Sequence, residues 1–400
     1  MKIALVLERF EVSRGGAERS TYELARALAG LGAEVTIVAR TVGGKAVTGE
    51  NFRTAAVDGS GWTRSGSWRQ FQRAVEMHVG EEKYDIVHSM VPLDSADVYQ
   101  PRGGSQPHGQ RRHYASYRSG WRLAWKERLA VLNRGRQARQ RSEQTLCTGT
   151  EGPVIAALSV YVAEQFRQDY DTTESRIRII RNGVAVDRIS SPAARAEGEK
   201  LRQLYDREGD RAVFLFAAEN FRLKGLDWLI RSAARVGKQR WEGQRDFVIL
   251  VVSGQMYQNY WRQADRLGLN GRVLFLGPTE HMPALVQMCD AVVLPTYNDA
   301  SSRVVLEGLA AGKPAITTRY NGAAEFMRHG EHGFIIEQVE DEAALAGALA
   351  DLCDRRRQEQ MSRAIMAEGL PEAVSMERHA RELLALYSEC ISDSGKTDSG

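Results

Sequence analysis

Tyr297-Asn298-Asp299-Ala300-Ser301-Ser302-Arg303-Val304-Val305-Leu306-Glu307-Gly308-Leu309-Ala310-Ala311-Gly312-Lys313-Pro314 is the stretch that decides the fold. Ahead of it, Ala291-Val292-Val293-Leu294-Pro295 is a short apolar run, and behind it Ala315-Ile316-Thr317-Thr318 is another; both read as buried strands. Between them Ser301 or Ser302 can cap a helix, residues 304–311 are good to tolerable helix formers, and Gly312 followed by Pro314 stops it. A strand, loop, helix, strand unit of this kind predicts an open parallel sheet that binds ligands where strands end and helices begin. Asp299 and Glu307 fall near that edge. The amides of Ser302, Arg303 and Val304 are predicted to point out of the helix N-terminus, where the dipole favours an anion such as phosphate.

The same alternation begins at the start of the chain. Lys2-Ile3-Ala4-Leu5-Val6-Leu7 reads as a first strand, and a polar loop over 8–16 ends on Gly15-Gly16. A helix over 17–31 then carries Tyr22, Leu24, Ala25, Leu28 and Leu31 on one side. Val35-Thr36-Ile37-Val38-Ala39 completes a βαβ unit whose glycine spacing is not GxGxxG. A helix over 68–80, strands at 84–89 and 153–159, a helix to about 170 and a strand at 177–180 continue the pattern. Asn182-Gly183 and the small polar run Ser190-Ser191-Pro192-Ala193 mark a boundary between 183 and 197. A second alternation follows, with strands at 212–217, 247–252 and 273–276 and helices at 225–235, 257–267 and 282–288. After the quoted unit come a strand at 333–336 and a helix over 340–355. The expectation is an α/β protein of two doubly wound, Rossmann-like domains facing across a deep cleft, residues 1–185 and 196–372. A last helix over 376–387, within 373–390, is expected to return to the first domain, and the Ser-, Asp- and Gly-rich tail 391–400 to be disordered.

Composition sets bounds on this. Four hundred residues, 43% of them hydrophobic, suffice for two cores. Lys and Arg number 54 against 51 Asp and Glu, a net charge of +3, so overall charge gives no ground for a nucleic-acid partner. Cys147, Cys289, Cys353 and Cys390 are far apart and show neither disulfide-scaffold density nor CxxC spacing, which fits a reducing cytoplasm. The first apolar run stops at Glu8-Arg9, too short for a signal-peptide core or a membrane span. Charge is concentrated instead over 102–141, where eleven Arg and Lys face only Glu127. Within it Tyr114, Tyr117, Trp121 and Trp125 fall on one face of a helix, with Arg118, Arg122 and Lys126 each one residue further on. Such a pair of stripes suits an anionic membrane surface, and equally a helix whose aromatics pack on the core while its arginines are solvated. Arg102, Arg118, Trp121, Arg122 and Trp125 are the candidate acceptor or membrane contacts.

Three stretches of the second domain carry chemistry. In Glu219-Asn220-Phe221-Arg222-Leu223-Lys224-Gly225, Arg222 as a fork and Lys224 as a point charge can hold a diphosphate, although such a pair alone is ordinary surface charge. In Gly277-Pro278-Thr279-Glu280-His281, backbone groups at Pro278 and Thr279 can read a nucleobase. The quoted unit adds amides for phosphate and two carboxylates for hydroxyls. His88 and His281 are candidates for polar contacts only, since a lone histidine is more often structural.

Asp299 and Glu307, eight positions apart and followed by Gly308-x-x-x-Gly312-x-Pro314, resemble the Glu-seven-residues-Glu signature of glycosyltransferase family 4, retaining enzymes of the GT-B fold. Arg222-x-Lys224-Gly225 is similar to that family's Arg/Lys pair on the donor diphosphate, and Gly15-Gly16-Ala17-Glu18-Arg19 to its N-terminal glycine loop. The resemblance runs over nearly the whole chain and, through Gly15-Gly16-Ala17-Glu18-Arg19 and Asp97-Val98-Tyr99, is strongest to the lipopolysaccharide core glucosyltransferases. It implies that Glu307 binds ribose hydroxyls and Asp299 sugar hydroxyls. The amides of Ser302 to Val304 would meet the diphosphate, and Arg222 and Lys224 would stabilise the leaving group without a metal. The donor would be a nucleotide-diphosphate sugar, a UDP-sugar, with no further cofactor. The acceptor would be a glycan or lipid-linked, reached in the cytoplasm or at the inner membrane face, and residues 1–185 would be the acceptor domain. The sequence departs from the pattern at Asp299, a methylene shorter than the usual Glu, and at Ser302-Arg303 in place of the usual Gly. It also carries Glu219 where the family's early arginine falls, and Gly103-Gly104 where core glucosyltransferases carry an acid. Two other readings of the same residues are a nucleotide-sugar epimerase on this fold and a non-catalytic nucleotide-sugar-binding protein.

Overall fold

A computed structural model describes residues 1–12, 15–43, 51–58, 64–117, 134–238, 245–393 and 395. They form two units, Met1–Gly183 with Met376–Gly400, and Val184–Ser375. The first is built on a parallel sheet of seven strands: β1 (Lys2–Phe10), β2 (Glu34–Val42), β3 (Phe52–Ala56), β4 (Ile86–Ser89), β5 (Val98–Tyr99), β6 (Val154–Ala157) and β7 (Ile177–Ile179). Their order across the sheet is β3-β2-β1-β4-β5-β6-β7. β1 is central, with Ile3, Ala4, Leu5 and Val6 fully buried, because helices cover both faces. A strand buried on both sides reads as a continuous apolar run and not as an alternation. Leu24 and Leu28 of the Gly16–Gly30 helix and Leu383, Leu386 and Tyr387 of the Met376–Asp393 helix cover one face. Trp68, Phe71 and Val75 of the Arg64–Glu82 helix cover the other. Each such side chain contributes roughly 1.5–3 kcal/mol by leaving water.

The second unit repeats the plan with six parallel strands: β8 (Arg211–Ala217), β9 (Asp246–Val252), β10 (Val273–Gly277), β11 (Ala291–Leu294), β12 (Ala315–Thr318) and β13 (Gly333–Ile336), ordered β10-β9-β8-β11-β12-β13. In both sheets the winding reverses beside the first strand, between β1 and β4 and between β8 and β11. The loops that leave such a pair of strands diverge to opposite faces and open a crevice.

Several elements differ from the expectation. The run Ser190–Ala193, read as part of a linker, starts a helix, Pro192–Tyr205. Ser191 caps it by accepting the Ala194 amide at 3.2 Å, and Pro192 occupies the first turn, where its missing N–H costs nothing. The last helix does not stop at Tyr387 but continues to Asp393, so 391–393 are helical; residues 394 and 396–400 lie outside the described residues. β3, the two-residue β5 and the helices Gln106–Ala115 and Arg355–Ala367 were absent from the sequence reading. The first helix includes Gly16, and its chain reverses at Gly32, whose φ is +91°.

Candidate functional site

In the second unit the loop after β8, residues 218–225, lies against the loop after β11, residues 295–302, at the point where the winding reverses. Tyr297 N donates to Leu223 O at 2.8 Å, and Leu223 N is held by Asn220 Oδ1 at 3.1 Å. Gly225 makes the approach possible. Its φ is +76°, and a Cβ there would stand 2.0 Å from Pro295 O, so any side chain would drive the loops apart. This packing brings Lys224 and Asp299 together, 75 residues apart in sequence. Lys224 Nζ lies 2.6 Å from Asp299 Oδ2 and donates to Asn298 O at 2.8 Å. Both side chains are about four-fifths buried, so the pair is less screened than a surface salt bridge. Asp299 Oδ1 accepts the Ser301 amide at 3.2 Å, which fixes the carboxylate's direction. Beneath them Thr318 Oγ1 donates to Thr296 O at 2.5 Å and Thr317 Oγ1 to Leu294 O at 2.9 Å, tying the loop to its own strands. Arg222 is half-buried and close enough to Tyr260 to oppose the rise that burial imposes on that phenol's pKa.

The predicted helix of the opening stretch is Arg303–Ala310, with Ser302 as its N-cap residue. Neither expected serine hydroxyl caps it: the Ser302 side chain makes no cap hydrogen bond. The Ser302 amide is also not available to phosphate as expected. It donates at 3.0 Å to Asn321 Oδ1, which accepts the Ala323 amide as well, at 3.1 Å. An amide already bonded to a buried carboxamide is a poor anion ligand. Arg303 and Val304 hold the first two helical positions. Arg303 turns its guanidinium back along the helix, Nη2 2.8 Å from Glu307 Oε1, with both side chains largely buried. Glu307, expected at ribose hydroxyls, thus carries an internal partner.

The loop after β10 places Pro278 exposed and Thr279 half-buried at the same sheet edge. Thr279 Oγ1 accepts the His281 amide at 3.0 Å, while the His281 ring turns to Glu197, Nδ1 2.6 Å from Oε1, and is taken up by that contact. The Tyr297 hydroxyl accepts from Trp228 Nε1 at 2.7 Å, and burial and Glu340 raise its pKa above the ordinary tyrosine value.

The first unit has its own opening at the reversal between β1 and β4. A cavity of about 440 Å³ is lined by Glu8 and Arg9 from the end of β1, Ala17, Glu18 and Thr21 from the first helix, Met90, Arg102 and Arg139. Gly15, in extended conformation, is the N-cap of that helix and Gly16 its first residue. Glu8 is held by Arg40 at 2.9 Å and Arg139 at 2.7 Å, and Arg102 Nη1 donates to Ala17 O at 2.6 Å. The lining gives three guanidinium groups against two carboxylates. Glu18 lies in the glycine-loop motif, whereas Glu8, Arg9 and Arg139 carry no motif that marks them as site residues and join it only through the strand order. His88 is fully buried, its Nδ1 against the Tyr387 hydroxyl on the last helix, so its place is structural. The helix Gln106–Ala115 is anchored by polar contacts: Gln106 N to Glu143 Oε2 at 2.7 Å and Arg111 to Asp169 at 2.6 Å. Arg118, Trp121, Arg122 and Trp125 lie outside the described residues.

Comparison with known proteins agrees with this architecture. EpsD of Bacillus subtilis (strain 168) is 30% identical over 208 residues, 52% of each chain. The D-inositol 3-phosphate glycosyltransferase of Salinispora tropica is 28% identical over 236 residues, 56% of this chain and 48% of that one. The chain thus spans about half the length of these curated relatives. The lipopolysaccharide glucosyltransferase WaaG of Escherichia coli (strain K12) is 24% identical over 338 residues, 81% of this chain and 82% of its own. Among solved structures, WaaG, described as a glycosyltransferase involved in lipopolysaccharide biosynthesis, superimposes with a TM-score of 0.70 at 21% identity over 100% of both chains. HepE of Anabaena, solved in complex with UDP-glucose, does so with a TM-score of 0.68 at 18% identity over 97% of this chain and 100% of its own. The two sheets of seven and six parallel strands are those of the GT-B fold. The family profile for glycosyltransferase family 4 matches residues 14–188, and that for glycosyl transferases group 1 matches residues 198–367. With both units covered in this order, the chain belongs to glycosyltransferase family 4.

Proposed function

We propose that the chain moves a sugar from a nucleotide-diphosphate sugar, a UDP-sugar, to a glycan or lipid-linked acceptor, with retention at the anomeric carbon and without a metal. The observation that carries this reading is the Lys224–Asp299 contact of 2.6 Å at the reversal of winding in the second unit, with Arg303 and Glu307 on the next turn. It supplies cations for a diphosphate and carboxylates for hydroxyls on two adjoining loops. HepE, which shares the fold, was solved with UDP-glucose, and this supports the choice of donor. In the reaction the bond from the anomeric carbon to the phosphate oxygen breaks and its electron pair leaves with the nucleoside diphosphate. The acceptor oxygen bonds to the same face and passes its proton to the departing phosphate. Arg222 and Lys224 stabilise the charge that develops on the leaving group, the largest demand of the step.

Arg222→Ala and Lys224→Ala are expected to lower transfer from UDP-glucose by roughly 10²–10³-fold each with the fold intact. Unchanged turnover in both would refute the assignment. The donor is identified by screening nucleotide sugars for thermal stabilisation, which at a hundredfold excess over Kd amounts to about 2.7 kcal/mol.

For the acceptor, the relation to WaaG supports a lipopolysaccharide core glycan. The arginine-lined cavity of the first unit favours a second reading, a phosphorylated polyol of the kind named for the Salinispora relative. Assays offering each acceptor decide between them. No described helix is long and apolar enough to cross a membrane. The basic and aromatic stripes around Tyr114, Trp121 and Trp125 support peripheral binding at an anionic cytoplasmic face. Co-sedimentation with phosphatidylglycerol vesicles should fall on replacing these three aromatics by alanine; equal binding would contradict the membrane role.

A further inference from the structure

Both carboxylates of the donor site are held by cations of the same site. Lys224 Nζ is 2.6 Å from Asp299 Oδ2 and Arg303 Nη2 is 2.8 Å from Glu307 Oε1. The second pair gains little for the helix that contains it. A cation in the first turn opposes the helix dipole, and an arginine four residues before a glutamate is the weaker order for such a pair. Each carboxylate retains a second oxygen, and Asp299 Oδ1 already accepts the Ser301 amide. Apart from Arg222, the cations of the site are paired with its carboxylates, so an anion entering it must compete with Asp299 and Glu307 for them.

We propose that the donor binds by exchange. Lys224 and Arg303 leave Asp299 and Glu307 for the diphosphate, while the sugar and ribose hydroxyls replace them on the two carboxylates. The proposal rests on the nucleotide-sugar reading above and adds to it how the site tells a complete donor from its fragments. A bare diphosphate can take the cations only by leaving two largely buried carboxylates without a counter-charge, which is costly. A donor with both ribose and sugar returns a hydrogen-bonding partner to each carboxylate in the same event. A nucleoside diphosphate without the sugar returns one. Recognition of the anionic middle of the donor is thereby coupled to recognition of its two hydroxyl-bearing ends, and inorganic phosphates are rejected although the site holds cations.

Calorimetry with inorganic pyrophosphate, UDP and UDP-glucose tests this on the full chain. Glu307→Gln takes the counter-charge away from Arg303 but weakens the ribose contact, so it is expected to raise pyrophosphate affinity about fivefold and to lower UDP affinity. Asp299→Asn frees Lys224, so it is expected to raise affinity for both pyrophosphate and UDP while reducing the preference for UDP-glucose over UDP. Opposite signs from one substitution are not what simple loss of structure produces, and melting curves check the fold of each variant. Pyrophosphate affinity unchanged or lowered in both variants overturns the exchange. The pyrophosphate measurements need neither base nor sugar. Wild-type protein that binds no nucleoside diphosphate, with the pyrophosphate gains still present, would therefore refute the proposed function and leave the exchange of cations standing.

Discussion

Asn321 Oδ1 accepts two amides, from Ser302 at 3.0 Å and Ala323 at 3.1 Å, and its Nδ2 donates to Thr317 Oγ1 at 2.9 Å. Its side chain bonds none of the four charged groups of the site, yet its backbone pairs with Asp299 and it holds the turn from which Asp299 and Arg303 extend. Asn321→Ala leaves two buried amides without an acceptor, which costs about 2 kcal/mol. Transfer should fall about tenfold with a lowered melting temperature. Wild-type activity in the alanine variant would show that the turn holds without it. Residues of this kind explain what was legible. Asp299 and Glu307 could be found from their spacing, since one loop and one helix carry both. Asn321 reaches Ser302 from the loop of the next strand, 19 residues on, and no local pattern announces that contact. The expectation of a free Ser302 amide failed for the same reason.

Elements were read well where a long apolar run or a helical period fixed them, as in β1, β8 and β11. The two-residue β5 is too short for any period, and Ser190-Ser191-Pro192 was ambiguous because the residues that make a linker are also those that start a helix. The loop 218–225 has the opposite property: its glycine is its main constraint. In Gly225→Ala the new methyl would meet Pro295 O at 2.0 Å in a backbone region disfavoured for alanine by about 1–2 kcal/mol. Relief requires the loop to withdraw from β11, which separates Lys224 from Asp299. The variant should fold, with a melting temperature lowered by several degrees, and lose transfer by at least about tenfold. Retained transfer would show that the loop tolerates the shift. Asn220→Ala, which removes one hydrogen bond to the same loop, should do less.

At the scale of the molecule, buried histidines govern the response to acid. His379 donates from Nδ1 to Arg181 O, and burial together with Arg378 lowers its pKa to about 3. His88 lies well below its ordinary value through burial, with Arg102 and His379 adding to the effect. In the unfolded chain both take up a proton near pH 6.5. Below that pH the unfolded state therefore holds more protons, and stability present above about 6.5 is lost as pH falls. Each histidine contributes up to about 1.4 kcal/mol per pH unit until its folded value is reached. Denaturation midpoints should stay nearly level from pH 7.5 to about 6.5 and drop from there to pH 5, and His379→Gln should flatten the drop; a level wild-type profile throughout would contradict the account.

During synthesis these same contacts impose an order. The Tyr387 hydroxyl that meets His88 is made 299 residues later, roughly 15–60 s at ribosomal rates. Everything that Val184–Ser375 requires is by then already made, while one face of the first sheet still lacks the Met376–Asp393 helix that covers it. The unit begun first is finished last. Until that helix docks, the apolar surface around Ile3, Leu5, Ile86 and Val98 is a natural substrate for chaperones.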